Sequence, residues 1–119
     1  MNIGLIGCGN ISDTYFESQN IYNNLKIVAC ADIVKELADK KANQYNTKSL
    51  SVENLLNSKD IDIVLNLTIP SAHKEIILKS MENGKHCFSE KPLAMNFKEG
   101  LEIKELSNKK KLFVGCAPD

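Results

Sequence analysis

The segment Gly7-Cys8-Gly9-Asn10-Ile11-Ser12, together with Asp32, offers the first spacing that suggests chemistry. A short apolar run, residues 3–6, leads into the glycines, and Ile11, Tyr15 and Phe16 follow them at helical spacing. The pattern is G-x-G-x-x-G with Ser12 in the third place. In a strand–turn–helix setting Gly7 permits the tight turn and Gly9 lets the backbone approach a diphosphate. Ser12 is small enough for close helix packing, though slightly worse than Gly or Ala. The helix start at Asn10 and Ile11 then offers free N–H groups and a positive dipole end to phosphate oxygens. A plainer reading stays open, in which the glycines serve only a tight turn.

Asp32 closes the second apolar run, a little more than the customary ~20 residues beyond the turn. A carboxylate there accepts hydrogen bonds from both hydroxyls of an adenosine ribose and repels a 2′-phosphate. The next residues are Ile33 and Val34, no Arg follows, and Lys35 is the nearest cation. The expectation is therefore NAD in preference to NADP. Asp32 also has a second reading as a cap for the following helix, compatible with the first. A methyltransferase shares the glycine loop and the acid, but wants an acidic residue where Leu5 stands and a glycine where Ile11 stands. That class is excluded on both counts.

Two further segments follow strand-like runs: Thr68-Ile69-Pro70-Ser71-Ala72-His73 and Ser89-Glu90-Lys91-Pro92-Leu93. His73 precedes Ile76 and Ile77 by three and four residues, so it faces inward at the mouth of any cleft. It has two readings, as a contact to a cofactor or its surroundings, and as a satisfied helix-start histidine. Asn66 is polar inside an apolar strand and must find a partner, because a buried unpaired amide is costly. That partner is either a ligand or a loop carbonyl. His86 and Tyr15 read as structural.

The elements that would position these residues alternate in type. Residues 25–31 form a second strand. Val34, Leu37, Ala38, Lys41, Ala42 and Tyr45 mark a second helix, with Lys41 the one polar residue on its inner stripe. Residues 48–50 make a short strand, and residues 51–57 a short helix capped by Ser51. Residues 61–68 are β-branched and nearly continuous, as in a buried parallel strand. Pro70 and Ser71 open a helix carrying Ile76, Ile77 and Met81 inward, and Asn83-Gly84 ends it. A fifth strand spans 86–89. Asn96 and Glu99 are a capping pair for a helix with Phe97, Leu101 and Leu106 inward. Residues 112–116 form the last strand. Six alternations with right-handed crossovers give an α/β fold, a Rossmann-type doubly wound parallel sheet in the order 3-2-1-4-5-6. Such a sheet binds ligands beyond the carboxyl ends of its strands, at the switch between strands 1 and 4.

With the glycine turn and Asp32 in place, these strand-end segments resemble the Gfo/Idh/MocA family of glucose–fructose oxidoreductases, inositol dehydrogenases and rhizopine-catabolism enzymes. The resemblance runs the length of the chain, and Glu90-Lys91-Pro92 is its most specific element. Ile69 departs from it, since the family more often has Pro after the Thr, which leaves the shape of this loop open but not the assignment. The resemblance implies that Lys91 lies near the reacting carbon, bonds the substrate hydroxyl and joins the proton transfer that accompanies hydride transfer. A lysine can do this when burial and a neighbouring cation favour its neutral form. It implies that Glu90 bonds the nicotinamide ribose or orients Lys91, that Pro92 fixes the turn through a cis peptide, and that Thr68 and Pro70 pass their backbone under the nicotinamide ribose. Without the family, Glu90-Lys91 reads as a surface charge pair.

The family also implies a second α/β domain that holds most of the substrate and supplies an Asp and a His. Residues 1–119 are thus expected to be the dinucleotide-binding domain alone, with that substrate domain absent, binding NAD weakly without turnover. The leading expectation for the whole protein is a homo-oligomeric NAD-dependent dehydrogenase of a sugar, cyclitol or related polyol. Two alternatives stay open: a sensor of the NADH/NAD ratio without chemistry, and a dehydrogenase or reductase of another small-molecule pathway.

Composition narrows the field further. At 119 residues there is room for one cored domain and no second one. All 15 basic residues are Lys, balanced by 15 acidic ones, so the bidentate fork that phosphate and guanine recognition favours is missing and nucleic acid is an unsuitable partner. Lys109-Lys110-Lys111 reads as the solvated end of a helix. Cys8, Cys30, Cys87 and Cys116 lie in or beside strand-like runs with no C-x-x-C, as buried small hydrophobes in a reducing cytoplasm do; neither a disulfide frame nor a metal site is expected. No apolar run approaches membrane-spanning length.

Overall fold

The computed structural model describes residues 1–118. Its strands are β1 (Asn2–Ile6), β2 (Lys26–Ala31), β3 (Lys48–Ser49), β4 (Ile63–Asn66), β5 (His86–Ser89) and β6 (Val114–Cys116). Between them lie α1 (Ser12–Ser18), α2 (Lys35–Tyr45), α3 (Val52–Asn57), α4 (His73–Glu82) and α5 (Phe97–Lys110), with a 3-10 turn at Pro70–Ala72 leading into α4. All pairings are parallel and the strand order is β3-β2-β1-β4-β5-β6, as the alternation of the sequence requires. The order reverses between β1 and β4, where Ile6 stands opposite Asn66.

Neighbouring strand residues point to opposite faces, and this divides the core in two. On one face Ile6, Ala31, Val64 and Cys87 pack under Leu55 and Leu56 of α3, Ile76, Ile77 and Met81 of α4, and Ile103 of α5. On the other, Leu5, Cys30 and Leu65 pack under Phe16 of α1 and Ala38 and Ala42 of α2. Fully burying an aromatic or branched side chain of this size contributes about 1.5–3 kcal/mol, so these two layers hold the sheet between them. Phe16 and Tyr45 stack with ring centroids 4.4 Å apart. The polar intruder on the inner stripe of α2 is explained by the same contact: Lys41 Nζ and Tyr45 Oη both donate to Asp13 Oδ1, at 2.6 and 2.8 Å, and pin α2 to α1. Those two donors, Lys41 first, hold the Asp13 carboxyl below its usual range.

The helix ends follow their local chemistry. Ser51 accepts from the Asn54 N–H, and Asn96 accepts from the Glu99 N–H at 2.9 Å. Glu99 reaches back to the Met95 N–H at 3.0 Å, one residue earlier than in a standard capping box. Gly84 ends α4 at φ +75°, a conformation open to glycine. Lys85 is buried after it, and its ammonium donates to the carbonyls of Ser58 and Ile61, closing the amino end of β4.

The expected inward stripe of α5 is corrected. Phe97 and Leu101 are 81% and 40% exposed, while Ile103 is 2% exposed and Leu106 packs beside it. α5 meets α4 through Ile103 and Leu106, and that choice turns Phe97 and Leu101 outward. Strand lengths are trimmed as well, since residues 61–62, 67–68 and 112–113 of the expected runs lie outside β4 and β6. Among the described residues no helix is long and apolar enough to cross a membrane.

Candidate cofactor-binding site

Gly7 and Gly9 occupy very different surroundings within one turn. Gly7 has φ +106°, and a Cβ placed on it would lie 2.5 Å from the carbonyl carbon and oxygen of Leu67. The chain leaving β4 crosses there, held by a bond from the Leu67 N–H to Ile6 O at 2.7 Å. Gly7 is thus a requirement of packing. At Gly9 a Cβ would meet nothing within 4 Å. Gly9, Asn10 and Ile11 are exposed, and among the described residues their N–H groups donate to no protein acceptor. These unpaired donors on an open backbone are what a diphosphate needs.

Ser12 in the third glycine position proves to have its own use. It is fully buried, and its Oγ donates to Gly9 O at 2.6 Å alongside its N–H at 3.1 Å. The hydroxyl locks the turn to the first residue of α1.

Asp32 follows β2 and braces the same turn. Its Oδ2 accepts from the Cys8 N–H and its Oδ1 from the Val34 N–H, each at 2.8 Å. The carboxylate therefore grips the glycine turn and turns the chain toward α2. The N-cap of α2 is Val34, with no side-chain cap bond, so the helix-cap reading of Asp32 is replaced by a brace two residues ahead of the cap. Each oxygen keeps a second lone pair for another donor. A groove of about 430 Å³ adjoins it, walled by Ile33, Leu50 and Val52.

The loops after β4 and β5 are joined by a closed set of bonds. Asn66 is fully buried; its Nδ2 donates to His73 O at 3.2 Å, and its Oδ1 accepts from Thr68 Oγ1 at 2.6 Å and Thr68 N–H at 3.3 Å. Of the two partners the sequence allowed Asn66, the structure supplies the neighbouring chain. His73 is 1% exposed, and its ring nitrogens lie 2.6 Å from Pro92 O and 2.7 Å from Thr68 O. The imidazole thus bridges the two loops, with both nitrogens engaged by the protein. The Glu90 N–H bonds Asn66 O at 3.0 Å, and the Lys91–Pro92 peptide is cis.

Two side chains of this second loop face the rim differently. Glu90 Oε1 accepts from Tyr15 Oη of α1 at 2.5 Å. Lys91 is exposed and joins no ion pair among the described residues. Ile69, where the family pattern has Pro, is 67% exposed, and Pro70 beside it opens the 3-10 turn.

The topology thus brings Gly7, Gly9, Asn10, Ile11, Asp32, Thr68, Pro70, Glu90 and Lys91 to the carboxyl ends of β1, β2, β4 and β5. His73 lies beneath them as a bridge. Sequence reasoning took Tyr15 as structural, and foresaw neither its bond to Glu90 nor the hydroxyl lock of Ser12. No periodicity signals a pair 75 residues apart. Among the described residues no cluster of His, Cys, Asp and Glu is arranged to hold a metal ion.

Known proteins share this fold. The family model for the GFO_IDH_MocA oxidoreductase family, NAD-binding Rossmann fold, matches residues 1–117. An inositol 2-dehydrogenase/D-chiro-inositol 3-dehydrogenase of Lactiplantibacillus plantarum is 31% identical over 114 residues, covering 92% of this chain and 32% of that protein. The scyllo-inositol 2-dehydrogenase (NAD(+)) of Bacillus subtilis is 29% identical over 106 residues, covering 85% and 30%. The crystal structure of the WlbA dehydrogenase of Chromobacterium violaceum, in complex with NADH and UDP-GlcNAcA, superposes with a TM-score of 0.90 at 26% identity, over 98% of this chain and 34% of that one. The chain therefore spans about a third of the length of the curated relatives it matches. Strand order, glycine turn and matched length agree, and this chain belongs to the Gfo/Idh/MocA oxidoreductase family, of which it carries the NAD-binding Rossmann fold.

Proposed function

We propose that the carboxyl-end rim binds NAD(H), and that the whole protein transfers hydride between nicotinamide and a sugar, cyclitol or related polyol. The observation that carries the reading is the open backbone of Gly9, Asn10 and Ile11 set beside a carboxylate that is already aimed by two N–H groups. The diphosphate takes the free N–H groups, and the ribose hydroxyls take the remaining lone pairs of Asp32. Adenine fits the groove beside Ile33. A 2′-phosphate would meet the Asp32 carboxylate, and the nearest cation, Lys35, is paired with Asp39 at 2.8 Å. This supports NAD over NADP.

Bound nicotinamide supplies the hydride acceptor. Thr68 and Pro70 run under its ribose, and the second oxygen of Glu90 accepts from a ribose hydroxyl. Lys91 takes the substrate hydroxyl and carries its proton; being exposed here, it is covered by cofactor and substrate in the working site. The names of the inositol-acting relatives support the substrate class. The C-terminal α/β substrate domain of the proposal, its Asp and His, and a homo-oligomeric assembly lie outside residues 1–119. Four free cysteines suit a reducing cytoplasm.

Calorimetric titration with NAD+ and NADP+ tests the cofactor choice. NAD+ should bind at least about tenfold tighter, and Asp32→Ala should remove most of that difference, since one charge-assisted contact is worth about a factor of ten. Equal affinities would overturn the preference. In the full-length protein Lys91→Ala should abolish turnover and spare NAD affinity; undiminished turnover would favour a sensor without chemistry.

A further inference from the structure

We propose that Tyr15 is a positioning residue for the nicotinamide end of the site: its hydroxyl fixes Glu90, and so sets the Glu90-Lys91-Pro92 turn against the helix that carries the glycine turn. The inference rests on the cofactor reading above and assigns a role that reading leaves empty.

The bond is short, 2.5 Å from Tyr15 Oη to Glu90 Oε1, in the range of a hydroxyl donating to a carboxylate. It joins residues 75 apart in sequence, one on α1 and one past β5. At its other end α1 is rigidly attached to the glycine turn, because Ser12 is locked to Gly9 O by both its N–H and its Oγ. Tyr15 stands three residues further along, so any movement of the diphosphate-binding turn reaches Glu90 through less than one helical turn. The other anchors of the loop, Glu90 N–H to Asn66 O and Pro92 O to His73, hold its backbone from the β4 and α4 side. Tyr15 is the contact that holds the Glu90 side chain.

The geometry has a chemical consequence. Glu90 is followed directly by Lys91, and an unrestrained carboxylate beside an ammonium is free to pair with it. Engaging Oε1 with the phenol keeps that carboxylate on the α1 side and leaves Oε2 for a ligand hydroxyl. The phenol is suited to the task. Burial and then the Glu90 carboxylate push its ionisation up to about 12, so it stays a donor at any working pH.

Tyr15→Phe removes the hydroxyl and keeps the ring that packs on the α1 side of the sheet. Affinities for NAD+ and for ADP, which lacks the nicotinamide half, are measured on the 119-residue chain and on the variant. The proposal expects NAD+ to weaken about tenfold while ADP stays within about twofold, because only the nicotinamide half meets Glu90. Glu90→Gln should reproduce the pattern, and the double variant should be no worse than either single one. A second reading needs no ligand: in a spectrophotometric titration, Glu90→Gln should let one late-ionising tyrosine ionise earlier. Equal weakening of NAD+ and ADP would mark a merely structural tyrosine and overturn the proposal, as would no change in either. If the unsubstituted chain bound neither nucleotide, the cofactor reading itself would fall, and the positioning role with it.

Discussion

Replacing each glycine of the turn by alanine separates folding from binding within three residues. At Gly7 an added Cβ lies 2.5 Å from Leu67 C and O and 2.9 Å from Thr68 N, all backbone, at φ +106°. Holding a non-glycine residue there costs about 1–3 kcal/mol. Relieving the clash costs about another 1–3 kcal/mol, because the Leu67 strand extension must shift and weaken its 2.7 Å bond to Ile6 O. Gly7→Ala should therefore lose about 2–6 kcal/mol, a large part of the roughly 5–15 kcal/mol that holds an ordinary domain together. Gly9→Ala meets open space and carries no positive φ, so it should be neutral or gain up to about 1 kcal/mol from a stiffer unfolded chain. Urea unfolding followed by circular dichroism measures both, and NAD+ titration measures the second. The expected pattern is a Gly7→Ala protein that is unstable and a Gly9→Ala protein that is stable but binds NAD+ poorly, since its methyl stands where the diphosphate approaches. A Gly7→Ala loss below about 1 kcal/mol would refute the packing argument. A Gly9→Ala protein with undiminished NAD+ affinity would refute the placement of the diphosphate.

Other perturbations follow from the same contacts. Asn66→Ala strips the anchors from Thr68 and from the start of α4, and should cost about 2 kcal/mol in the same urea assay; a change within about 0.5 kcal/mol would show the network to be redundant. Asp13, Asp39, Glu75 and Glu102 are each held below their ordinary values of 3.8 and 4.5 by a lysine partner. A lowered carboxyl stabilises the fold above its unfolded value and loses that contribution as pH falls through the folded one. Thermal stability should accordingly decline below pH 3.8–4.5, and less steeply in high salt because the four carboxylates are exposed; a salt-independent decline would point to buried groups instead. Burial raises the Cys87 thiol to about 12 and lifts Cys116. The bond with Cys30, with burial, lifts Cys8; the same bond lowers Cys30, which full burial keeps from the reagent. Native protein should react slowly with a disulfide reagent at mildly alkaline pH and release four thiols on unfolding; a rapid native burst would contradict it.

Much of the fold is legible in the sequence because the signals are local. A continuous β-branched run, a capping serine and a terminal glycine each act within a few residues, and the crossover rule turns their alternation into one strand order. The glycine turn and Asp32 are legible for the same reason. Phe97 and Leu101 were not, because α5 carries apolar residues on more than one face, and only contact with α4 decides that Ile103 and Leu106 go inward. Tyr15, His73 and Lys85 share a second limit. Each finds its partner through tertiary structure: Glu90 across 75 residues, Pro92 across 19, Ser58 across 27. Their residue types reveal only that some partner is needed. Asp32 shows the same limit, since its two bonds, to the Cys8 and Val34 N–H groups, brace the glycine turn in a way its position after β2 does not reveal.

The central claim is that a dinucleotide lies across the carboxyl ends of β1 and β2. Amide shifts of the ¹⁵N-labelled chain on addition of NAD+ test it residue by residue. The largest changes should fall on Gly9, Asn10 and Ile11 and on residues 32–34, with smaller ones at Thr68 and Glu90. Shifts confined to the larger hollow at the amino ends of the strands, about 710 Å³ and lined by Lys26, Asn46, Thr47 and Lys48, would contradict it. So would a spectrum that NAD+ leaves unchanged.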